Sequence, residues 1–258
     1  MKITWRHESV IRQNNHPGIT HRRIKLLLIA ILSILVCSCS NDDDFNGDIG
    51  KNIGSSTPDF LYDTKAPDQS PNVIILVADD LGYSDIGSYG GEISTPSLDE
   101  LAANGVRYNH FTVTAVCSST RAALLTGMNH HSAGTGWLAE WDFGYPGYRG
   151  EIHKNSLTLA EILKLNGYST FMVGKWHLTN ADHRSPIGPF DSWPTGRGFE
   201  KYFGFLEGEA NQFKPHWLVS GNDIHPPPDD ENFYLPDAIT DKAIDMIKTL
   251  RNHDREKP

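Results

Sequence analysis

Val73-Ile74-Ile75-Leu76-Val77-Ala78 is an unbroken apolar run that stops on two adjacent carboxylates, Asp79 and Asp80. An apolar stretch of this length with no polar alternation matches a strand buried on both faces, the pattern of a largely parallel sheet with helices on either side. The segments that follow keep changing type. Ser94 to Leu101 opens a helix with Thr95 as cap, Pro96 at the first position and acids in the first turn, and Asn104-Gly105 closes it. Val106 to Val113 alternates loosely as a strand, and Arg121 to Leu125 reads as a helix ending near Gly127. Ser156 to Asn166 predicts an amphipathic helix with Leu159, Ile162 and Leu163 on one face and Gly167 as its stop. Tyr168 to Val173 is a strand running into Gly174-Lys175-Trp176-His177. His183 to Pro228 is loop-rich, and Pro236 to Leu250 is a last helix, apolar at Ile239, Ala243, Ile247 and Leu250. Strands alternating with helices, without an internal repeat, predict an α/β fold with ligands gathered at the carboxyl ends of the strands.

With 258 residues the chain is long enough for one such domain with a substantial core. Its charge is uneven. Residues 1–39 hold six Lys/Arg and one acid, so of 23 basic and 32 acidic residues 17 and 31 remain beyond them, a balance of −14. That excludes a nucleic-acid binder, which needs clustered positive charge. It does not exclude an anionic small substrate, because a few cations and a metal dominate a pocket within a Debye length.

The basic cluster Arg22-Arg23-Ile24-Lys25 precedes an apolar run from Leu26 to Val36, too short to span a bilayer comfortably but right for an export signal. It ends in Val36-Cys37-Ser38-Cys39 followed by Ser40-Asn41-Asp42-Asp43-Asp44, which resembles a bacterial lipobox. Cys39, with small Ser38 before it, suits lipidation better than Cys37 with bulky Val36. Expected domains are therefore a lipoprotein signal over residues 1–39, a flexible acidic tether over 40–70 and a catalytic-type domain over 71–258. The expected location is outside the cytoplasm, lipid-anchored at the outer membrane of a Gram-negative bacterium. The polar end Arg255-Glu256-Lys257-Pro258 looks like a turn leading into a further strand, so the domain is expected to be truncated there. Lipidation leaves Cys117 as the one free thiol, an oddity in an oxidising compartment that calls for a reason.

Three segments carry chemistry. Asp79-Asp80 offers hard oxygen ligands for Ca²⁺ or Mg²⁺, although acidic pairs after strands are often plain turns. Cys117-Ser118-Ser119-Thr120-Arg121 puts a thiol at a helix N-terminus with arginine one turn later, a setting that favours the reactive thiolate, against the alternative of a buried structural cysteine. Lys175 and His177, two apart on an extended segment, offer a cation and a proton donor to one site, or an incidental pair.

Together these segments resemble the type I sulfatase family of the alkaline phosphatase superfamily, over Pro71 to Ala210. Its signature, Cys-x-Pro-Ser/Thr-Arg followed by Leu-Thr-Gly, is matched by Cys117-Ser118-Ser119-Thr120-Arg121 and Leu125-Thr126-Gly127. Supporting matches are Asp79-Asp80-Leu81-Gly82-Tyr83, Thr95-Pro96-Ser97-Leu98-Asp99, Gly174-Lys175-Trp176-His177-Leu178 and Gly196-Arg197-Gly198-Phe199. The tract Thr126 to Gly134 looks more like the bacterial arylsulfatase branch than the animal lysosomal enzymes. The resemblance implies an alkaline-phosphatase-like, mostly parallel sheet flanked by helices. It implies sulfate-ester hydrolysis through a formylglycine made from Cys117 by a maturation enzyme, on a sulfated small molecule or a sulfated glycan. Asp79, Asp80 and an oxygen of the modified Cys117 would bind Ca²⁺, with Mg²⁺ the lesser alternative. Arg121 and His177 would serve the formylglycine hydroxyl, and Lys175 a sulfate oxygen. Ser119 departs from the family's usual proline. The family's remaining metal and sulfate ligands fall outside the matched region. His216 and His225 match none of them, and His130 and His131 read as packing or rim residues. The competing readings are a phosphonate or phosphodiester hydrolase of the same superfamily, and a non-catalytic surface lipoprotein or fragment.

Overall fold

The computed structural model describes residues 48–56 and 64–258. The expected signal over residues 1–39 and much of the tether lie outside the described residues. The chain falls into two compact units, Met1–Leu61 and Tyr62–Pro258. In the first, a short 3-10 turn at Ile53–Ser55 is closed by Asn52, whose carbonyl accepts from the Ser55 and Ser56 hydroxyls.

The second unit holds helices α1 (Pro96–Asn104), α2 (Cys117–Thr126), α3 (Leu159–Leu165) and α4 (Leu235–His253), and strands β1 (Phe171–Lys175), β2 (Lys201–Phe205), β3 (Leu218–Ser220) and β4 (Asp223–His225). The strands form one sheet in the order β1-β2-β3-β4. β1 and β2 are parallel, Phe171 facing Lys201 through to Lys175 facing Phe205. β2-β3 and β3-β4 are antiparallel, so the sheet is mixed. β3 and β4 meet through Gly221-Asn222, with Gly221 at φ +63, the conformation a tight two-residue hairpin asks of its first turn residue.

Thr158 caps α3, its hydroxyl accepting from the Glu161 N–H at 3.1 Å while Glu161 accepts from the Thr158 N–H at 2.6 Å, a reciprocal capping box. This helix begins at Leu159, three residues after the expected Ser156. Thr95 precedes α1 as expected but caps nothing with its side chain; its hydroxyl accepts from the Gly87 N–H and donates to Asp99. α2 ends on Gly127 at φ +66, the left-handed cap that glycine fills without a Cβ clash.

The main core contains Ala122, Trp176, Leu178, Trp193, Tyr202, Leu206 and Val219, and a second cluster joins Phe205, Leu218 and Leu235. α4 packs on β1 and β2, with Ile239 near Gly174. Gly196-Arg197-Gly198-Phe199 is a structural clamp between α3 and the start of β2. Arg197 is buried and pairs with Glu161 at 3.3 Å, and its carbonyl accepts from Thr158 at 2.7 Å.

Three expectations are corrected. Val73 to Ala78 forms no helix or strand and pairs with no strand among the described residues, and its side chains are exposed, Ile74 by 81%. Val106 to Val113 is likewise unpaired and exposed. An apolar run reports what a segment would bury, and burial also needs a neighbour on each edge. In the other direction, the stretch from His183 to Pro228 contains three strands that its glycines, prolines and aromatics concealed.

Gly204 fixes how closely β1 and β2 approach, because a Cβ there would lie 2.0 Å from the Gly174 carbonyl oxygen. Gly204→Ala is expected to lower stability by about 1–3 kcal/mol, read from urea unfolding. An unchanged midpoint would show that the strand pair has slack the structure does not display.

Candidate active site

Cys117 is the first residue of α2, half-buried and, among the described residues, outside any disulfide. The start of that helix is braced by Thr114 and Thr120, whose hydroxyls are 2.7 Å apart. One turn on, the Arg121 guanidinium donates to the Lys175 carbonyl at 2.6 Å and lies 3.8 Å from Asp79. Lys175, at the end of β1 and almost fully buried, donates to both Asp79 oxygens at 2.9 and 3.2 Å. Three segments far apart in sequence thus converge on one carboxylate. Burial lowers the Arg121 pKa, opposed chiefly by the charge of Asp79.

Asp80 stands apart. Its backbone is left-handed, φ +55, a conformation uncommon outside glycine, and among the described residues its side chain has no hydrogen-bond or ionic partner. Asp79 and Asp80 fit a hard divalent cation by donor type. Among the described residues, however, no three His, Cys, Asp or Glu side chains converge on a metal position, so the donor set here is partial.

His177 also has a left-handed backbone, φ +57, and its side chain is buried. Its Nε2 meets both oxygens of Glu140, at 3.0 and 2.9 Å, rather than Asp79. Glu140 also accepts from Arg184 at 2.9 Å, and Arg184 Nε donates to the Thr179 carbonyl. Burial raises the Glu140 pKa, but the bonds from His177 and Arg184 outweigh it and hold the carboxyl below its ordinary value. Burial lowers the His177 pKa; Glu140 opposes this, while the Lys175 and Arg184 charges add to it. The ring is therefore neutral at neutral pH, and the contact with Glu140 is a hydrogen bond to a carboxylate rather than an ion pair.

Ser118 and Ser119 are buried and tie the helix start to the loop carrying Glu140. Ser118 accepts from the Ala139 N–H at 3.1 Å, and Ser119 donates to the Thr135 carbonyl at 2.9 Å. Proline at position 119 could not make the second bond. Tyr202, fully buried beside Arg121, bonds the Gly174 and Phe205 carbonyls; burial drives its pKa well above the ordinary value, so it is a neutral strut. His225 lies in β4, His216 meets the Trp217 ring edge-on, and His131 bonds Tyr148, none of them bonded to this cluster. Sequence patterns did not reveal Glu140, Arg184 or Tyr202, which belong to no spaced motif and acquire meaning only from what they touch.

A half-buried thiol thus opens the helix whose guanidinium, together with a buried lysine, converges on one carboxylate, Asp79. A family model for sulfatases matches residues 71–258, and the chain belongs to the sulfatase family. It is 36% identical over 201 residues to an arylsulfatase of Klebsiella aerogenes, covering 75% of this chain and 42% of that one. It is 36% identical over 211 residues to an uncharacterised sulfatase of Schizosaccharomyces pombe, covering 73% of this chain and 36% of that one. The crystal structure of Ps i-CgsB superposes with a TM-score of 0.56 at 27% identity, over 72% of this chain and 43% of that one. A second structure of Ps i-CgsB, in complex with k-i-k-neocarrahexaose, gives 0.55 at 26% identity, over 71% and 42%. The fold is accordingly the α/β fold of the sulfatases. The chain spans about two fifths of the length of these relatives.

The two lowered pKa values set a direction for stability. The unfolded His177 takes up a proton near pH 6.5 that the folded ring refuses, and the unfolded Glu140 does so near 4.5. Both contributions are complete above those values and are lost as pH falls through them toward the folded pKa values. The unfolding free energy is expected to fall continuously on acidification from pH 7. In His177→Gln the part of that fall near pH 6.5 should be shallower, measured by urea unfolding at stepped pH; equal slopes would refute the assignment.

Proposed function

We propose that this chain carries the nucleophile half of a sulfuric ester hydrolase centre, with Cys117 converted to formylglycine by a maturation enzyme. The observation that carries the reading is the convergence of Asp79, Arg121 and Lys175 beside the first residue of α2. In the hydrated formylglycine, one hydroxyl serves as nucleophile and the second allows the sulfate to be released, a step that a thiol or serine cannot provide. Arg121, fixed by its bond to the Lys175 carbonyl, orients the group at position 117. Lys175 Nζ neutralises charge on a sulfate oxygen, and His177 handles the proton at the nucleophile.

Asp79 and Asp80, with an oxygen at position 117, would hold Ca²⁺. Lys175 and Arg121 together only offset the two carboxylates, so a divalent cation supplies the surplus positive charge that an anionic ester needs. The substrate we propose is a sulfated glycan, supported by the oligosaccharide complex of the related Ps i-CgsB, with small aryl sulfates as surrogate substrates. An exported, lipid-anchored location through Cys39 fits such an extracellular polymer.

Mass spectrometry of the tryptic peptide Tyr108–Arg121 from protein made in its native host should show the loss of H₂S and gain of one oxygen at Cys117. An unmodified thiol would remove the proposed nucleophile. Against a chromogenic aryl sulfate, Cys117→Ala is expected to abolish turnover with the fold intact, and Lys175→Ala to cut kcat about 10²–10³-fold. Preferential hydrolysis of a phosphate diester over the sulfate would instead favour the phosphodiesterase branch of the superfamily.

A further inference from the structure

His177 has two ring nitrogens in very different surroundings. Nε2 lies 2.9 and 3.0 Å from the two Glu140 oxygens, whereas Nδ1 is buried and, among the described residues, has no hydrogen-bond partner. An unpaired buried polar atom is costly, and such atoms in a folded protein call for an explanation. The ring cannot easily turn to relieve it. Gly208 packs so closely that a Cβ there would lie 2.7 Å from Cε1 and 2.8 Å from Nε2, and Leu206 holds the His177 N–H through its carbonyl at 3.2 Å. Glu140 is no freer. Arg184 grips one of its oxygens at 2.9 Å and is itself tied to the Thr179 carbonyl. The preceding residue, Ala139, is tied by its N–H to Ser118, the neighbour of Cys117. The chain from position 117 through Ser118, Ala139 and Glu140 to His177 is therefore continuous.

From this geometry we infer that Glu140 is a positioning residue of the centre, holding His177 in the tautomer protonated at Nε2 so that Nδ1 is the nitrogen that works at the reacting group. A carboxylate accepts only, so the neutral ring must place its one proton on Nε2. The lone pair left on Nδ1 then takes a proton from the nucleophilic hydroxyl, and the imidazolium so formed is stabilised by Glu140 across the Nε2 bond. This role rests on the sulfatase reading above, but the tautomer itself does not.

The test separates the two. In uniformly ¹⁵N-histidine-labelled full chain, long-range ¹H–¹⁵N correlations identify the tautomer of His177, its signals assigned by their loss in His177→Gln. The expected result is a pyrrole-type Nε2 and a pyridine-type Nδ1 at pH 7.5. A ring protonated at Nδ1 would overturn the inference whether or not any sulfate is hydrolysed. In Glu140→Gln the Arg184 donor holds the amide carbonyl, so the NH₂ group faces Nε2 and should move the proton to Nδ1, while Glu140→Asp should keep it on Nε2; an unchanged tautomer in Glu140→Gln would also overturn the inference. With an aryl sulfate, Glu140→Gln should lower kcat at least 10-fold with KM within about 2-fold, and Glu140→Asp should recover part of the loss. Equal, undiminished kcat in Glu140→Gln would overturn the catalytic role. Absence of turnover in the wild-type protein would count against the sulfatase reading alone.

Discussion

The Asp79 carboxylate, shared between the ammonium of Lys175 and the guanidinium of Arg121, is the contact on which the rest of the centre depends. Lys175 is nearly buried, and a buried ammonium without a partner costs several kcal/mol. Arg121 binds the carbonyl of the same lysine, so the end of β1, the first turn of α2 and the end of the run from Val73 to Ala78 are registered against one another. Removing Asp79 would leave two cations facing each other with no counter-charge. That makes it a structural keystone.

A second network, made of neutral polar groups, does for the loop what the ion pairs do for the strand end. Ser118 and Ser119 sit in the first turn of α2, where small hydroxyl residues usually satisfy their own helix, yet here they reach outward to Ala139 and Thr135. Their burial makes these bonds hard to replace with water. The loop from Thr135 to Glu140 is thereby indexed to the same helix turn that presents position 117. Precision at a nucleophile requires its supporting shell to be rigid to a fraction of an ångström, and this loop has no helix or strand of its own to supply that.

Much of this was legible in the residues. The helix at Cys117–Thr126, its glycine stop and the strand running into Lys175 follow from local pattern, and the three motif segments contain Asp79, Arg121 and Lys175, which the fold brings together. The partner of His177 was not legible. Lys175 and His177, two apart, suggested a common target, but the left-handed backbone at His177 turns it from strand geometry and it bonds Glu140 instead. Nor was the sheet past residue 183, because short strands rich in glycine and aromatics lack the alternation by which strands are read.

The sharpest divergence concerns the segment from Val73 to Asp80. Its apolar character argued for the centre of a sheet, yet every fully buried residue of the described structure lies at Ser118 or beyond. Two kinds of force therefore hold the two sides of one site. Cys117, Arg121, Lys175 and His177 are carried by elements packed around Trp176, Trp193 and Tyr202, whose positions are set by close-packed apolar contact. Asp79 and Asp80 sit on a segment that contributes no buried side chain, and its described ties to the rest are chiefly ionic and polar. Apolar packing is indifferent to salt, whereas partly exposed ion pairs weaken as ionic strength rises. The carboxylate side of the site is thus the adjustable one. A cation that bound both carboxylates would compete with Lys175 for Asp79, so occupancy of the acidic pair and freedom of the lysine to meet an anion are coupled by the same charge.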